Sequence, residues 1–508
     1  MNQRKTGIII SYITLAMQSI IGLIYVPMLL HYLTQAEYGI YQLMGSVVAY
    51  LSVMEFGLSN TTTRYVARAL SLKDEKETQH VISVSHTLYL GIAILLLVIG
   101  TIFYFCIDPI YFSALTAGEL HTAKQIYVIM LINMVVMVQA NVFTAVINAH
   151  ERFIFIQGLN LIKIISQPLL VWAILAWKAS ALNVVLAQSV IIWGGFLCNY
   201  IYCKSKLKLS FPLQLAKSPL FKELLGFSLF VFLHIVMDQM FYRSGQLILG
   251  AVSGAQAVAI YAITIQVLVF AITLPSSVNN MFLPKLSASI ATQKNLIETN
   301  TIFCKLGRLQ FMLFMLIFTG FAFLGRAFIY LWIGKGYEII YWLVLILMVG
   351  YILDVSQSIG SAALQAMKKH AFRAYVYTAM AVLNIGLAIP LAKYYGEMGC
   401  AVATALCLWL GPGLAMNLYY RHLGIDIKTF FINIGKLMVP VIFSALLIGV
   451  LFYVWPLNNT VLSFLLHGCA LTVVYVVIMW FLGFNSYEKA LISQPVYKIL
   501  KIISPKKI

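Results

Sequence analysis

Residues 84–107 read VSHTLYLGIAILLLVIGTIFYFCI, 24 positions without an Asp, Glu, Lys or Arg. A helix of that length rises about 36 Å, enough to cross the roughly 30 Å hydrocarbon core of a bilayer. A barrel strand would be a shorter segment of alternating polarity, so this solidly apolar run is a helical span. Lys73 and Lys76 lie before it and Asp108 follows it. The next run, 124–148, comes after a gap at 108–123 that holds Asp108, Glu119 and His121. The same pattern recurs at 7–33, 38–60, 159–178, 181–203, 224–249, 257–283, 307–333, 338–364, 371–395, 397–420, 432–455 and 459–483, which makes fourteen spans.

The 508 residues are 62% hydrophobic and 10% charged. Soluble domains stay near half apolar, so hydrocarbon is the solvent here. In that solvent each backbone N–H and C=O needs an internal partner, which selects helices. The expected fold class is all-α integral membrane, with about fourteen transmembrane helices. The first run starts at Gly7 and continues past Tyr25 and Pro27 to Leu30 without a small-residue cleavage site, and reads as a retained span.

Charge orients the bundle. Of 34 Lys and Arg, 28 fall on one side of the expected spans, from Arg4 and Lys5 through Lys163 to Lys506 and Lys507. Four fall on the other, Lys124, Lys178, Lys335 and Lys393, while Arg243 and Arg326 lie within spans. The positive-inside rule then puts both termini in the cytoplasm, as an even span number requires. The net charge of +18 is spread over eight cytoplasmic segments that face anionic headgroups, with no aromatic-basic module, so no nucleic-acid partner is expected. The seven Cys show neither metal spacing nor a disulfide framework, and His31, His234 and His467 are scattered. No metal, no cofactor and no catalytic residues are expected.

The gaps are too short for a folded domain. Those at 61–83, 204–223 and 284–306 read as short amphipathic helices at the headgroups. A shift of 220 positions lays Tyr41 on Tyr261 and Asn60 on Asn280, pointing to a parallel repeat of two six-span halves. The expected division is 1–223 (spans 1–6), 224–428 (spans 7–12), and 429–508, a last pair of spans with a basic tail. Pro27, Pro168, Pro275, Pro390 and Pro440 interrupt spans and permit bending.

Polar residues inside spans mark faces turned to protein or water. At 100° per residue, Ser11, Gln18 and Tyr25 share one face of the first span. The seventh carries Gln239, Arg243 and Gln246; the eighth Gln266, Thr273, Ser277 and Asn280; the tenth Asp354, Ser358, Ser361 and Gln365; the second Ser52, Glu55 and Ser59. Stripes of Ser and Thr alone read as helix–helix packing, whereas stripes carrying a charge favour a hydrated cavity. Asp238 lies near the middle of its span, about 140° around the helix from Arg243, and so cannot form an i,i+4 pair with it. It is either a coupling carboxylate or one pinned by a neighbouring helix. Glu55 and Asp354 are the other ion-coupling candidates, each with the alternative of pairing with an adjacent basic loop. Arg243 suits a diphosphate or acidic sugar because its guanidinium forks onto phosphate oxygens. Arg326 is a phosphate or interface candidate, with snorkelling the preferred reading.

Several stretches carry a family likeness. They are Glu37-Tyr38-Gly39-Ile40-Tyr41, Glu55-Phe56-Gly57-Leu58 leading to Arg64-Tyr65-Val66-Ala67-Arg68, Asn384 to Pro390, and Tyr395-Gly396-Glu397-Met398-Gly399 running to Ala405. With these the chain resembles the bacterial Wzx-type O-antigen and capsule flippases. That group belongs to the exporter superfamily of multidrug, oligosaccharidyl-lipid and polysaccharide transporters, alongside the MATE drug exporters and lipid II flippases. The resemblance implies two six-helix lobes around a central cavity bordered by spans 1, 2, 7 and 8, with two extra C-terminal spans. It implies alternating-access transfer of an undecaprenyl-diphosphate-linked oligosaccharide to the outer leaflet, H+ or Na+ as coupling ion, and polysaccharide polymerase machinery as a partner. The family often has Asp-Leu-Gly where this chain has Glu55-Phe56-Gly57; the carboxylate is kept. A MATE-like exporter of organic cations is the alternative, against which Arg243 argues. A membrane enzyme such as an O-antigen polymerase would need a larger external loop.

Overall fold

The computed structural model describes residues 3–55, 58–213, 239, 243–291, 296–367, 369, 371–491 and 493. Among these every regular element is helical: α1 (Gln3–Tyr32), α2 (Gln35–Ser52), α3 (Leu58–Ser71), α4 (Glu75–Tyr111), α5 (Ala117–Ala149), α6 (Phe153–Trp177) and α7 (Ala181–Ser205). Then follow α8 (243–252), α9 (Ala255–Ala291), α10 (Leu296–Ile333), α11 (Ile339–Ser356), α12 (Ile359–Ala366), α13 (Ala371–Leu408), α14 (Met416–His422), α15 (Ile427–Val454) and α16 (Val461–Ile478). Eleven helical stretches among the described residues are long and apolar enough to cross a membrane, and the chain is an all-α integral membrane protein. On α4, Leu95, Val98, Ile102 and Phe105 are exposed at helical spacing, the stripe that hydrocarbon solvates.

One of the eleven, Ala371–His422, contains the expected spans 371–395 and 397–420 end to end. Gly396 interrupts its helical backbone with φ 55° and ψ −133°, a conformation that a side chain would strain. The expected second span is likewise broken. α2 ends at Ser52, whose hydroxyl bonds back to the Ala49 carbonyl at 2.7 Å, and a 3-10 turn covers Val53–Glu55 before α3 begins at Leu58. The expected seventh span is described only at residue 239 and from residue 243 onward. The expected short amphipathic helix at 61–83 corresponds to α3, 14 residues with Leu58, Val66 and Ala69 buried, followed by the first turns of α4, whereas 284–306 is divided between the end of α9 and the start of α10. The described part of 204–223 leaves helix at 206.

The chain packs as two compact units, Met1–Ile263 with Ile385–Cys400, and Thr264–Asn384 with Ala401–Ile508. In the first, α5 lies against α2, α3, α4 and α7, and α1 lies along α6. Tyr127 on α5 is fully buried and donates to the Gly100 carbonyl at 2.8 Å. Asn133 donates to Ser189 at 2.7 Å and accepts from Trp193 at 3.0 Å, while Asn199 donates to Thr144 at 3.0 Å; these bonds tie α5 to α7. Thr34 and Thr116 start α2 and α5 with reciprocal capping boxes to Glu37 and Glu119. The Glu37-Tyr38-Gly39 stretch thereby gains a physical reading. Glu37 closes the cap, Tyr38 is buried, and a Cβ on Gly39 would fall on the Ala255 carbonyl oxygen at the start of α9.

In the second unit α10 packs against α11, α15 and α16 around Phe303, Phe311, Phe430 and Leu437. Tyr475 on α16 donates to the Met312 carbonyl at 2.9 Å. Arg308 on α10 and Glu488 beyond α16 form a buried bidentate pair, Nε to Oε1 at 2.7 Å and Nη2 to Oε2 at 3.0 Å. Arg308 also donates to the Gly483 carbonyl at 2.9 Å, and the backbone N–H of Asn485 donates to Glu488 at 2.9 Å. Nε and Nη2 of the guanidinium and both carboxylate oxygens therefore have partners, and Nη1 donates to the Asn433 carbonyl at 3.4 Å.

Candidate functional site

Five helices of the first unit bring polar side chains together. On α2, Tyr38, Tyr41, Gln42 and Ser46 recur at three- and four-residue steps and share a face. On α8, Arg243 and Gln246 are one turn apart. Gln188 of α7 donates to the Tyr41 hydroxyl at 2.7 Å and to that of Tyr25, on α1, at 3.3 Å. Gln167 of α6 also hydrogen-bonds Tyr25. Arg243 Nη1 donates to Gln246 Oε1 at 3.5 Å, and Ser46 hydrogen-bonds the same oxygen. Gln42 donates to the Tyr38 hydroxyl at 2.8 Å. The half-buried Arg243 guanidinium lies among the phenols of Tyr41, Tyr38 and Tyr50, and among the described residues no carboxylate pairs with it. A fixed cation set among amides and phenols can take phosphate oxygens by its guanidinium fork and sugar hydroxyls by its neutral groups.

Of the residues singled out by sequence, Tyr25, Arg243 and Gln246 meet in this network. Gln239 is half-buried one turn before Arg243, and Gln18 is exposed on α1 two turns before Tyr25. Gln266 is half-buried on the part of α9 that belongs to the second unit. Asp238 and the side chains of Asn280 and Gln365 lie outside the described residues. Glu55 is half-buried and hydrogen-bonded by Asn141 of α5. Gln188 belongs to none of the stripes named above, although Asn183 and Asn199 are further amides of its run; Tyr41 stood in the Glu37–Tyr41 stretch. Lys163, counted above with the cytoplasmic cations, is embedded in α6, one turn from Gln167, with its amine end against Gly195 of α7. It lies inside the expected span 159–178, and α6, which starts at Phe153, keeps it well within helix. Gln188→Leu should deprive two tyrosine hydroxyls of a donor at a cost of about 1 kcal/mol. A lowered thermal-unfolding midpoint of the detergent-purified variant is expected, and an unchanged midpoint would remove Gln188 from the network.

The second unit has its own polar cluster. Tyr377 of α13 donates to Asp354 Oδ1 at 2.5 Å, and Arg373 lies over the Tyr377 ring at 4.6 Å while donating to Ser361 at 2.8 Å. These groups, with Gln357, Ser358 and Tyr420, line a cavity of about 40 Å³, room for a water-sized guest. Asn279 and Gln310 donate to Ser358 at 2.8 and 2.9 Å, and Gln357 donates to Asn417 at 2.8 Å. The cluster can hold a proton between Asp354 and Tyr377. Arg326, also in this unit, is exposed, with its guanidinium 5.0 Å from the Tyr341 ring and 5.5 Å from that of Trp342. Among the described residues no three His, Cys, Asp or Glu side chains gather as a metal would need.

A family model described as polysaccharide biosynthesis protein matches residues 4–289. A Shigella flexneri protein described as an O-antigen transporter is 22% identical over 395 residues, which cover 76% of this chain and 90% of that protein. Among solved structures, the fold is similar to the inward closed conformation of the lipid II flippase MurJ, with a TM-score of 0.73 at 15% identity, covering 96% of this chain and 100% of that one. It is also similar to an inward-facing MATE family multidrug resistance transporter, with a TM-score of 0.66 at 14% identity, covering 81% and 95%.

Proposed function

The chain belongs to the polysaccharide biosynthesis protein family, and from that premise we propose that it is a flippase for an undecaprenyl-diphosphate-linked oligosaccharide. In this reading it resides in the cytoplasmic membrane with both termini inside, and carries its substrate to the outer leaflet by alternating access for surface polysaccharide synthesis. The observation that carries it is Arg243 set among the phenols of Tyr38, Tyr41 and Tyr50 and the amide of Gln246. Guanidinium suits a diphosphate, and a ring of neutral donors and acceptors suits the first sugars, while the polyprenyl chain stays in lipid. Reading the chain as an exporter of organic cations gains support from the MATE-like fold, but a permanent cation in the site repels that cargo.

The proposed lobes are 1–223 and 224–428, with 429–508 as an added pair, and a cavity bordered by spans 1, 2, 7 and 8. Gln18, Gln239, Gln266 and Asn280 would complete its polar lining. Coupling to H+ or Na+ would fall to a carboxylate, Asp354 beside Tyr377, Glu55, or Asp238. Arg326 serves as an interface anchor, and the polymerase machinery is the downstream partner.

One experiment tests transport and coupling together. Proteoliposomes loaded with the lipid-linked oligosaccharide are assayed for its appearance in the other leaflet, with and without an imposed H+ or Na+ gradient. Transfer above protein-free vesicles is expected, accelerated by one gradient and with that acceleration lost in Asp354→Asn. No transfer with any gradient would overturn the flippase reading; transfer indifferent to both gradients would overturn coupling alone.

A further inference from the structure

We propose that the first unit carries a binding site for a zwitterionic phospholipid, one whose headgroup bears a phosphate and a primary ammonium, in a cleft at the turn between α4 and α5. The cleft has a volume of about 370 Å³. Its polar end is formed by Tyr104, His121, Lys124 and Gln125. Its apolar end is formed by Val128, Ile129 and Leu182. The order along α5 matters. Val128 and Ile129 sit one helical turn beyond Lys124 and Gln125, on the same face and farther from the helix end. On α5, Lys124 and Gln125 nearer the helix end with Val128 and Ile129 one turn deeper match the headgroup-to-acyl order of a lipid standing in its leaflet, and Leu182 at the start of α7 adds apolar surface beside them.

The charges select the headgroup. Lys124 pairs with Asp108 of α4, one turn after Tyr104, yet both remain accessible, with side-chain exposures of 23% and 47%. An ammonium has three N–H donors and a carboxylate has two oxygens, so each keeps capacity after pairing. The Lys124 amine also lies 5.2 Å from the Tyr104 ring. His121 and Gln125 bond one another at 3.1 Å at the exposed rim. A phosphate can therefore approach Lys124 while an ammonium meets Asp108. An anionic lipid without an amine would satisfy Lys124 and set its charge against Asp108. A free sugar would place hydroxyls against Val128, Ile129 and Leu182 with nothing to bond. The neutral pair thus complements a headgroup carrying both signs.

The full chain, purified in mild detergent, is offered equal amounts of phosphatidylethanolamine and phosphatidylglycerol, and retained lipid is read by native mass spectrometry. Preferential retention of phosphatidylethanolamine is expected. Asp108→Asn should reduce it about tenfold, as loss of one charge-assisted hydrogen bond implies, and should leave phosphatidylglycerol unchanged or increased. Val128→Trp, which fills the apolar end and leaves both charges in place, should displace the lipid while the unfolding midpoint holds. Equal retention of both lipids, or phosphatidylethanolamine retention unaltered in both variants, overturns the proposal. Because the readout is lipid retention and not glycan transfer, its outcome is independent of the transport assay.

Discussion

Replacing Arg243 with alanine is expected to abolish surface glycan display while leaving the protein inserted at its normal level. The guanidinium is the cation of the first-unit network, held beside Gln246 and facing three phenols. Two charge-assisted bonds to a diphosphate, at about 1.5–3 kcal/mol each, correspond to a hundredfold or more in transport rate. Arg243→Lys keeps the charge and loses the planar fork, and should give intermediate display. The measurement is surface polysaccharide by extraction and gel, beside immunoblot of the membrane fraction. Normal display with normal protein in Arg243→Ala would remove Arg243 from the mechanism.

Glu488→Ala should be the most destabilising single change in the second unit. It strands the Arg308 guanidinium, 8% exposed, with only carbonyls for partners. Removing one member of a buried ion pair costs about 3–5 kcal/mol. A large drop in thermal-unfolding midpoint in detergent is expected. The double change Arg308→Met with Glu488→Leu removes both charges and should recover most of the loss. If Glu488→Ala unfolds at the wild-type midpoint, the pair contributes nothing to the fold.

Much of the architecture could be read from hydropathy, since a bilayer demands long uninterrupted helices. The break between 371–395 and 397–420 was visible because Tyr395-Gly396 closes an apolar run, and Gly396 is the residue that leaves helical geometry. The 3-10 turn at Val53–Glu55 was not visible, because Val53 and Met54 continue the apolar run and Glu55 falls on the helical stripe with Ser52 and Ser59. Of the site, Arg243 and Gln246 were legible because both belong to one helix and its 3.6-residue period. Gln188 and Tyr377 were not, because their meaning lies in contacts across helices. Gln188 reaches Tyr41 from 147 positions away, and Tyr377 reaches Asp354 from 23. No single-helix period encodes such pairs. Lys163 shows what charge counting leaves out, since the count sums it with a neighbouring gap although it lies inside the expected span 159–178 and within α6.

The Arg308–Glu488 pair also sets an order of events at the ribosome. The arginine is inserted 180 residues before its carboxylate has been synthesised. Until then its guanidinium has only backbone carbonyls of the final set of partners to meet, and those of Asn433 and Gly483 also lie C-terminal to it. A chain stopped short of Glu488 would leave the Arg308 guanidinium without its carboxylate, at about the 3–5 kcal/mol cost of a broken buried pair.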